Sequence, residues 1–370
     1  MSSNKGYDIK SICRNFLIPG DFVSAAPYGS GHINDTFETI FNQGGLQVRY
    51  ILQRINHNIF KDPTALMENV DRVTTHIQKK LSGSGEATRR TLSLIRASDG
   101  KSYVKDQAGN FWRTYIFVEH TKSYNIIETA EQAYQAAKAF GDFQKNLVDL
   151  PGGRLNETIP DFHNTPKRFE AFEKVLAADS CNRAKSAERE IAFAFKKKEM
   201  VFTLLRLCGE GRIPERITHN DTKLNNVLLD EKTGEAVCVI DLDTVMPGLA
   251  LYDFGDLVRT STSPAAEDEK DLAKVKMQMH MFEALAKGYL DASGEFLTKT
   301  EVEYLPFSGK LITFEIGIRF LTDYLSGDTY FKIHREGHNL DRCRTQFKLV
   351  ESIEEQEANM KKFLQDKKFI

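Results

Sequence analysis

Ile217-Thr218-His219-Asn220-Asp221-Thr222-Lys223-Leu224-Asn225-Asn226-Val227-Leu228-Leu229-Asp230 is the stretch on which the reading of this chain turns. A turn, Asp230-Glu231-Lys232-Thr233-Gly234-Glu235, joins its apolar end to a second short strand, Val237-Cys238-Val239-Ile240, which runs into Asp241-Leu242-Asp243. The spacing H-x-D-x-x-x-x-N puts Asp221 and Asn226 on one loop, and the second strand delivers Asp241 to the same place. Phosphoryl transfer needs such a set: one carboxylate beside the attacking hydroxyl, with a second carboxylate and an amide oxygen holding Mg2+ against the phosphates.

Upstream of this region the chain reads as strand-rich. A glycine-containing turn, Tyr28-Gly29-Ser30-Gly31-His32-Ile33-Asn34-Asp35, precedes strand-like runs at 36–41 and 47–55, which Asn42-Gln43-Gly44-Gly45 joins as a hairpin. Leu66, Val70, Val73 and Ile77 recur at helical spacing between residues 63 and 80. Residues 91–95 and the aromatic run 111–119 predict further strands, and residues 1–20 a short leading helix. After about residue 123 the pattern turns helical, with helices expected at 127–150, 265–290, 311–325 and 345–363, and more helix within 162–195. The expectation is an α+β chain with a β-rich part at 1–122, a helical part at 123–370, and a hinge at 120–126.

Composition sets the outer bounds. The 370 residues carry 50 Lys and Arg against 52 Asp and Glu, and 41% are hydrophobic, enough for a sizeable core and against disorder of the whole chain. The near-neutral balance argues against a nucleic-acid binder, which shows a basic excess. Cys13, Cys181, Cys208, Cys238 and Cys343 are scattered, without a CxxC pair, so free thiols in a reducing compartment are expected. With no apolar stretch of spanning length and no signal-like start, a cytoplasmic protein without a membrane partner is expected.

The loop around Asp221 is similar to the kinase catalytic loop H-R-D-L-x-x-x-N, with Asn220 in place of its arginine. Lys223, two residues after the acid, also fits that pattern. The strand-end acid is followed by Leu242-Asp243 instead of Phe-Gly, and no A-P-E motif follows. The ensemble resembles the aminoglycoside phosphotransferase and choline kinase family, whose segment after the strand-end acid looks like residues 247–257 here. Within it, residues 219–221, 239–259, 29–36, 160–169 and 317–331 resemble the N-acetylhexosamine 1-kinases. That resemblance implies a protein-kinase-like bilobed fold with ATP between the lobes, and transfer of its γ-phosphoryl group to the anomeric hydroxyl of a sugar. It implies Asp221 as base with Lys223 at the γ-phosphate, Asn226 and Asp241 on Mg2+, and His32, Arg319 and Tyr330 on the sugar. Gly29 and Gly31 would cover the nucleotide.

One departure concerns the nucleotide clamp. Kinases carry a lysine on the third strand that contacts the phosphates and pairs with a helix glutamate. The corresponding segment, Arg49-Tyr50-Ile51-Leu52-Gln53-Arg54-Ile55-Asn56, has none. Gln53 sits at the usual register, Arg54 points to the opposite face of a regular strand, and Glu68 is the candidate helix acid. Asp253 and Asp256 read as acids that tie the catalytic loop by hydrogen bonds. Asp243 is either a solvated strand-end acid or a ligand of a second Mg2+. A cationic acceptor, such as an aminoglycoside or choline, is one rival reading. Seven Lys and Arg against five Asp and Glu between residues 310 and 350 weigh against it. A nucleotide-binding pseudokinase is the other, and the oligomeric state is left open.

Overall fold

The computed structural model describes residues 6–370 apart from Ser30 and His32. The first part of the chain runs α1 (Ile9–Cys13), β1 (Asp21–Pro27), β2 (Asp35–Gln43), β3 (Leu46–Ile55), α2 (Pro63–Leu81), α3 (Ala87–Arg90), β4 (Leu94–Ile95), β5 (Val104–Lys105) and β6 (Phe111–Ile116). Its strands form one antiparallel sheet in the order β1-β2-β3-β6-β4, with β5 also on β6. The hairpin expected at Gly44-Gly45 joins β2 to β3, both glycines at positive φ as so tight a turn requires. β1 carries no alternating pattern and is mostly exposed, so only its pairing with β2 defines it as a strand.

The pleat separates two populations. Phe37, Phe41, Tyr50, Leu52 and Trp112 face one side, packed with Ile12, Cys13 and Phe16 from the leading helix and the turn after it. Ile55 and Tyr115 face the other, against Leu66, Met67, Val70 and Val73 of α2. Asp62 caps α2 through the N–H groups of Thr64 and Ala65, and Pro63 occupies its first turn, where a missing donor costs nothing. Register then decides what stands beside what: Gln53 pairs with Thr36 on β2 and with Arg113 on β6.

The rest of the chain runs β7 (Thr121–Lys122), α4 (Ala130–Leu147), α5 (Thr165–Ala178), α6 (Glu188–Lys196), α7 (Thr203–Gly209), β8 (Arg216–Thr218), β9 (Val227–Asp230), β10 (Ala236–Val239) and β11 (Met246–Gly248), then α8 (Ala250–Ser261), α9 (Met279–Ser293), α10 (Lys299–Glu303), α11 (Leu305–Leu325) and α12 (His338–Asp366). β10-β9-β7 form a small sheet, and β8 pairs with β11. No described helix is long and apolar enough to cross a membrane.

Several expected elements are shorter. The strand at 91–95 contracts to Leu94–Ile95, and that at 111–119 ends at Ile116. The helix at 127–150 starts at Ala130 because Thr129 and Gln132 form a reciprocal capping box there. The helix expected within 162–195 is α5 and α6, parted by a short 3-10 turn. The helix expected from 265 begins only at Met279. The acids before it are drawn into contacts outside the segment, Glu267 to Arg259 and Asp268 to Arg335 and to the His338 ring. Those contacts favour an irregular path over local helix propensity.

The contact between α4 and α9 is set by glycine. A Cβ on Gly288 would stand 2.2 Å from the Tyr134 carbonyl oxygen, and one on Gly141 2.9 Å from that of Tyr289. The backbones meet where no side chain fits, and this brings Phe140, Phe143 and Gln144 of α4 to the β8 end. Gly288→Ala should therefore cost about 1–3 kcal/mol by overpacking, against the small gain alanine brings to an open helix. Urea unfolding of the two proteins measures it, and an unchanged midpoint would refute this account.

Candidate active site

The loop after β8 is held mainly by backbone bonds to buried acids. The Asp253 carboxylate, on the first turn of α8 and fully buried, accepts the N–H groups of His219 at 2.9 Å and Asn220 at 2.7 Å. It also accepts from Gln144 Nε2 at 2.6 Å, while the Gln144 oxygen accepts from the Tyr289 hydroxyl. Burial pushes the Asp253 carboxyl above its ordinary value, opposed by His219 and by these N–H donors. Asn220 adopts a left-handed φ of 66°, and its side chain bonds the Thr218 and Thr244 carbonyls, which anchors the strain. The sequence assigned Asp253 a structural tie of this kind.

His219 is fully buried, edge-on to Phe140 and Phe143. Its Nδ1 faces the Asp221 N–H at 3.3 Å, so Nε2 carries the proton and donates to the Ile240 carbonyl at 2.9 Å. This histidine joins the Asp221 loop to the end of β10, with both ring nitrogens engaged by backbone.

A second histidine, His163, was not singled out by the sequence. Its Nδ1 lies 2.7 Å from Glu315 Oε1 and its Nε2 3.1 Å from the Asn220 carbonyl. Both partners only accept, so both ring nitrogens carry protons and the group is a buried imidazolium. Burial alone would lower the His163 pKa, but the Glu315 charge and hydrogen bond overcome that and raise it. Burial would raise Glu315, and His163 instead holds it below the usual range. Thr165 donates to the other Glu315 oxygen at 2.6 Å. The pair braces the Asp221 loop from α11.

On this frame the Asp221 carboxylate is half-buried, with Lys223 Nζ at 2.6 Å and Asn226 Nδ2 at 3.1 Å. Burial would lift the Asp221 carboxyl, but the Lys223 charge and hydrogen bond hold it below the usual value, so it is ionised at neutral pH. Asn226 Nδ2 also donates to the Asp221 carbonyl, which leaves Asn226 Oδ1 turned away from that contact. Asp241, in a left-handed conformation, is exposed, and among the described residues no side chain or N–H bonds its carboxylate. Protein packed around it and the charges of Asp243 and Asp221 push its pKa up to about 7.

Asp243 has another fate from either expected one. It is buried, with one oxygen on the Arg113 guanidinium and the other accepting from Asn34 Nδ2 at 2.7 Å. With both oxygens engaged it is neither a solvated acid nor an open metal ligand. Arg113, fully buried on β6, also donates to Gln53 Oε1 through Nε at 3.1 Å and Nη2 at 2.9 Å. Register alone would have revealed Arg113; nothing local in the sequence marks it.

The remaining candidates fall in three places. Arg54 lies on the opposite sheet face, paired with Asp35 at 2.6 Å beside the Tyr7 ring. Glu68 is exposed on α2 and accepts from Asn156 at 3.2 Å; it is not joined to Gln53, because Met67 and Asn69 take the inward positions. Gly29 has a φ of 77° with open space around it, and Gly31 is exposed, while His32 lies outside the described residues. Arg319 and Tyr330 come together around Phe331, whose ring is 5.7 Å from the Arg319 guanidinium carbon and 4.8 Å from the Tyr330 ring. Arg319 also stands 5.3 Å over Phe162, the neighbour of His163.

Among the described residues there is no cluster of three His, Cys, Asp or Glu side chains suited to a metal. The donor set fits Mg2+ in another way. Asp241 is an unpaired carboxylate and Asn226 offers a free amide oxygen, the partial set that this ion completes with phosphate oxygens and water.

The sequence profile described as the phosphotransferase enzyme family matches residues 24–296. The chain belongs to that family. Solved structures agree on the fold. An aminoglycoside phosphotransferase from Alicyclobacillus acidocaldarius superposes with a TM-score of 0.57 at 12% identity, covering 96% of each chain. A microcompartment-associated aminopropanol kinase gives 0.57 at 13% identity, over 95% of this chain and 97% of the other. A choline kinase from Cryptosporidium parvum gives 0.53 at 14% identity, over 98% and 97%. The protein is thus a phosphotransferase of the protein-kinase-like fold, acting on an alcohol group, with a β-rich first part and a helical second part.

The phosphotransferase depends on the His163–Glu315 pair for its loop. Glu315→Gln leaves a buried imidazolium uncompensated, at a cost of about 3–5 kcal/mol. The raised His163 pKa makes its share of stability complete at low pH and lost as pH rises through that value. The lowered Glu315 pKa makes its share complete at higher pH and lost as pH falls through it. The melting gap between wild type and E315Q should be widest between the two values and close on the alkaline side, read by calorimetry across pH. A constant gap would contradict an ionised pair.

Proposed function

We propose that this phosphotransferase moves the γ-phosphoryl group of ATP to the anomeric hydroxyl of an N-acetylhexosamine. One observation favours a neutral sugar over a cationic acceptor: Arg319 already occupies the ring faces of Phe162 and Phe331. A choline-like ammonium would need those faces or a nearby acid. Beside Arg319 stands Arg168, its pKa lowered by burial and by the Arg319 charge, so the region carries two cations in mutual repulsion. The acid between them, Glu315, is bound to His163 and Thr165. The amino alcohol kinases that share the fold act, by their names, on substrates this arrangement repels. Guanidinium donors and aromatic faces suit hydroxyls and an acetamido group instead. The choice of N-acetylhexosamine rests on the resemblance of the loop and helix segments named above.

The reaction follows from the charges. Asp221, ionised and fixed by Asn226, orients the sugar hydroxyl and receives its proton as the new oxygen–phosphorus bond forms and the bond to ADP breaks. An anomeric hydroxyl is more acidic than an ordinary alcohol, so a carboxylate of low pKa suffices. Lys223, which burial would discharge but Asp221 and Asp256 keep charged, meets the γ-phosphate. Mg2+, on Asn226 and Asp241, would offset charge on the phosphates.

ADP release with ATP, Mg2+ and a panel of free sugars tests this reading. Turnover on N-acetylglucosamine or N-acetylgalactosamine is expected, absent with the 1-O-methyl glycosides and reduced about 10²–10⁴-fold in Asp221→Ala. Turnover on choline or kanamycin alone would sink the sugar assignment. ATP binding without turnover on any acceptor would favour a pseudokinase.

A further inference from the structure

The strand that should carry a phosphate-binding lysine carries Gln53, and the geometry around it points to a two-residue substitute. We infer that Gln53 Nε2 is the donor to the nucleotide phosphates, and that Arg113 is the buried positioning residue that holds the amide in that orientation. The inference rests on the nucleotide-dependent part of the reading above and not on the identity of the acceptor.

The argument starts from register. Thr36, Gln53 and Arg113 stand side by side on β2, β3 and β6 and share one sheet face. A guanidinium has donors only, so the Gln53 atom that meets two Arg113 nitrogens is the oxygen. The amide nitrogen is therefore turned the other way, where it donates to Thr36 Oγ1 at 3.0 Å. That uses one of its two hydrogens, and the second has no acceptor among the described residues. Gln53 is only half-buried, whereas Arg113 behind it is sealed from water. The positive charge withdraws density through the amide and strengthens its outer N–H as a donor.

Placement agrees. Thr36 is the second residue of β2, after the glycine turn, and Asn34 at the end of that turn bonds Asp243, the second partner of Arg113. One guanidinium thus fixes Gln53 and Asp243, which is two residues along the chain from Asp241, and through Asp243 it holds Asn34 at the end of the glycine turn. Two residues farther along β6 on the same face, the buried Tyr115 hydroxyl has no partner, a further donor left unused at this wall. Arg54 and Glu68, the other members of the expected clamp, are on the far face and on the outside of α2.

Gln53→Glu is the decisive variant. A carboxylate there still satisfies Arg113, now as an ion pair, so the fold is kept. Yet it replaces the outward donor with a negative charge facing phosphate. The melting temperature should stay or rise while ATP and ADP affinity, measured by calorimetry with Mg2+ and no acceptor, falls about 10- to 100-fold, the worth of a charge-assisted hydrogen bond. Arg113→Lys keeps the charge but loses the fork that fixes the amide, and KM for ATP should rise while KM for the acceptor holds. Wild-type nucleotide affinity in a folded Q53E protein would overturn the inference. Failure of every sugar in the panel, with ATP affinity lost in Q53E, would refute the acceptor assignment and leave the clamp standing.

Discussion

Two adjacent backbone N–H groups, those of His219 and Asn220, end on one buried carboxylate, and the whole site hangs from that contact. Asp253 lies on the first turn of α8, so the loop is fixed to a helix instead of to a mobile connection. Two such bonds in a dry interior leave the loop no alternative path, because either N–H alone would be costly to bury. The left-handed turn at Asn220 follows, and with it the direction in which Asp221 leaves the backbone. His163 and Thr244 close the remaining groups of the same peptide units, the first on the Asn220 carbonyl and the second on that of His219. The Asp221 carboxylate therefore needs few bonds of its own to be placed.

Around the site, three buried charges are matched by a counter-ion each. Arg113 faces Asp243, His163 faces Glu315 and Arg259 faces Asp256 at 2.7 Å. Breaking any of these would strand a charge in a low-dielectric interior, which is why they act as fixed struts more than as sources of stability. Lys223 and Asp221 form a looser pair, both partly open to solvent. Phosphate oxygens could recruit that lysine without unmaking the frame around it.

The candidate site was legible because it is built from residue types at short, fixed spacing. Asp221, Lys223 and Asn226 lie within six residues, and one short hairpin, β9 and β10, separates them from Asp241. The hairpin and the amphipathic α2 were legible for the same local reason. What escaped was set at long range. Arg113 and Asp243 are 130 positions apart, and their meeting follows from the β3–β6 register and from α2 packing beneath the sheet. His163 meets Glu315 across 152 positions. The missing helix before Met279 has in part the same origin, since Asp268 answers to Arg335, 67 positions away.

Asp241 and Asp243 show how position, not residue type, decides between binding and bracing. Both leave the end of β10 within three residues. The left-handed turn at Asp241 turns its carboxylate outward, and the short 3-10 turn that follows carries Asp243 in, onto Arg113 and Asn34. Pairing the inner acid leaves the outer one as the unpaired charge, and the protein packed around it, with the nearby charges of Asp243 and Asp221, pushes its pKa up to about 7. A carboxylate held in that state is destabilised as an anion until positive charge arrives beside it. Because its neighbours are fixed by Arg113 and Lys223, the protein cannot relax to relieve it. A cation carried in with phosphate would do so, and the two halves of the fold meet where that relief would be felt.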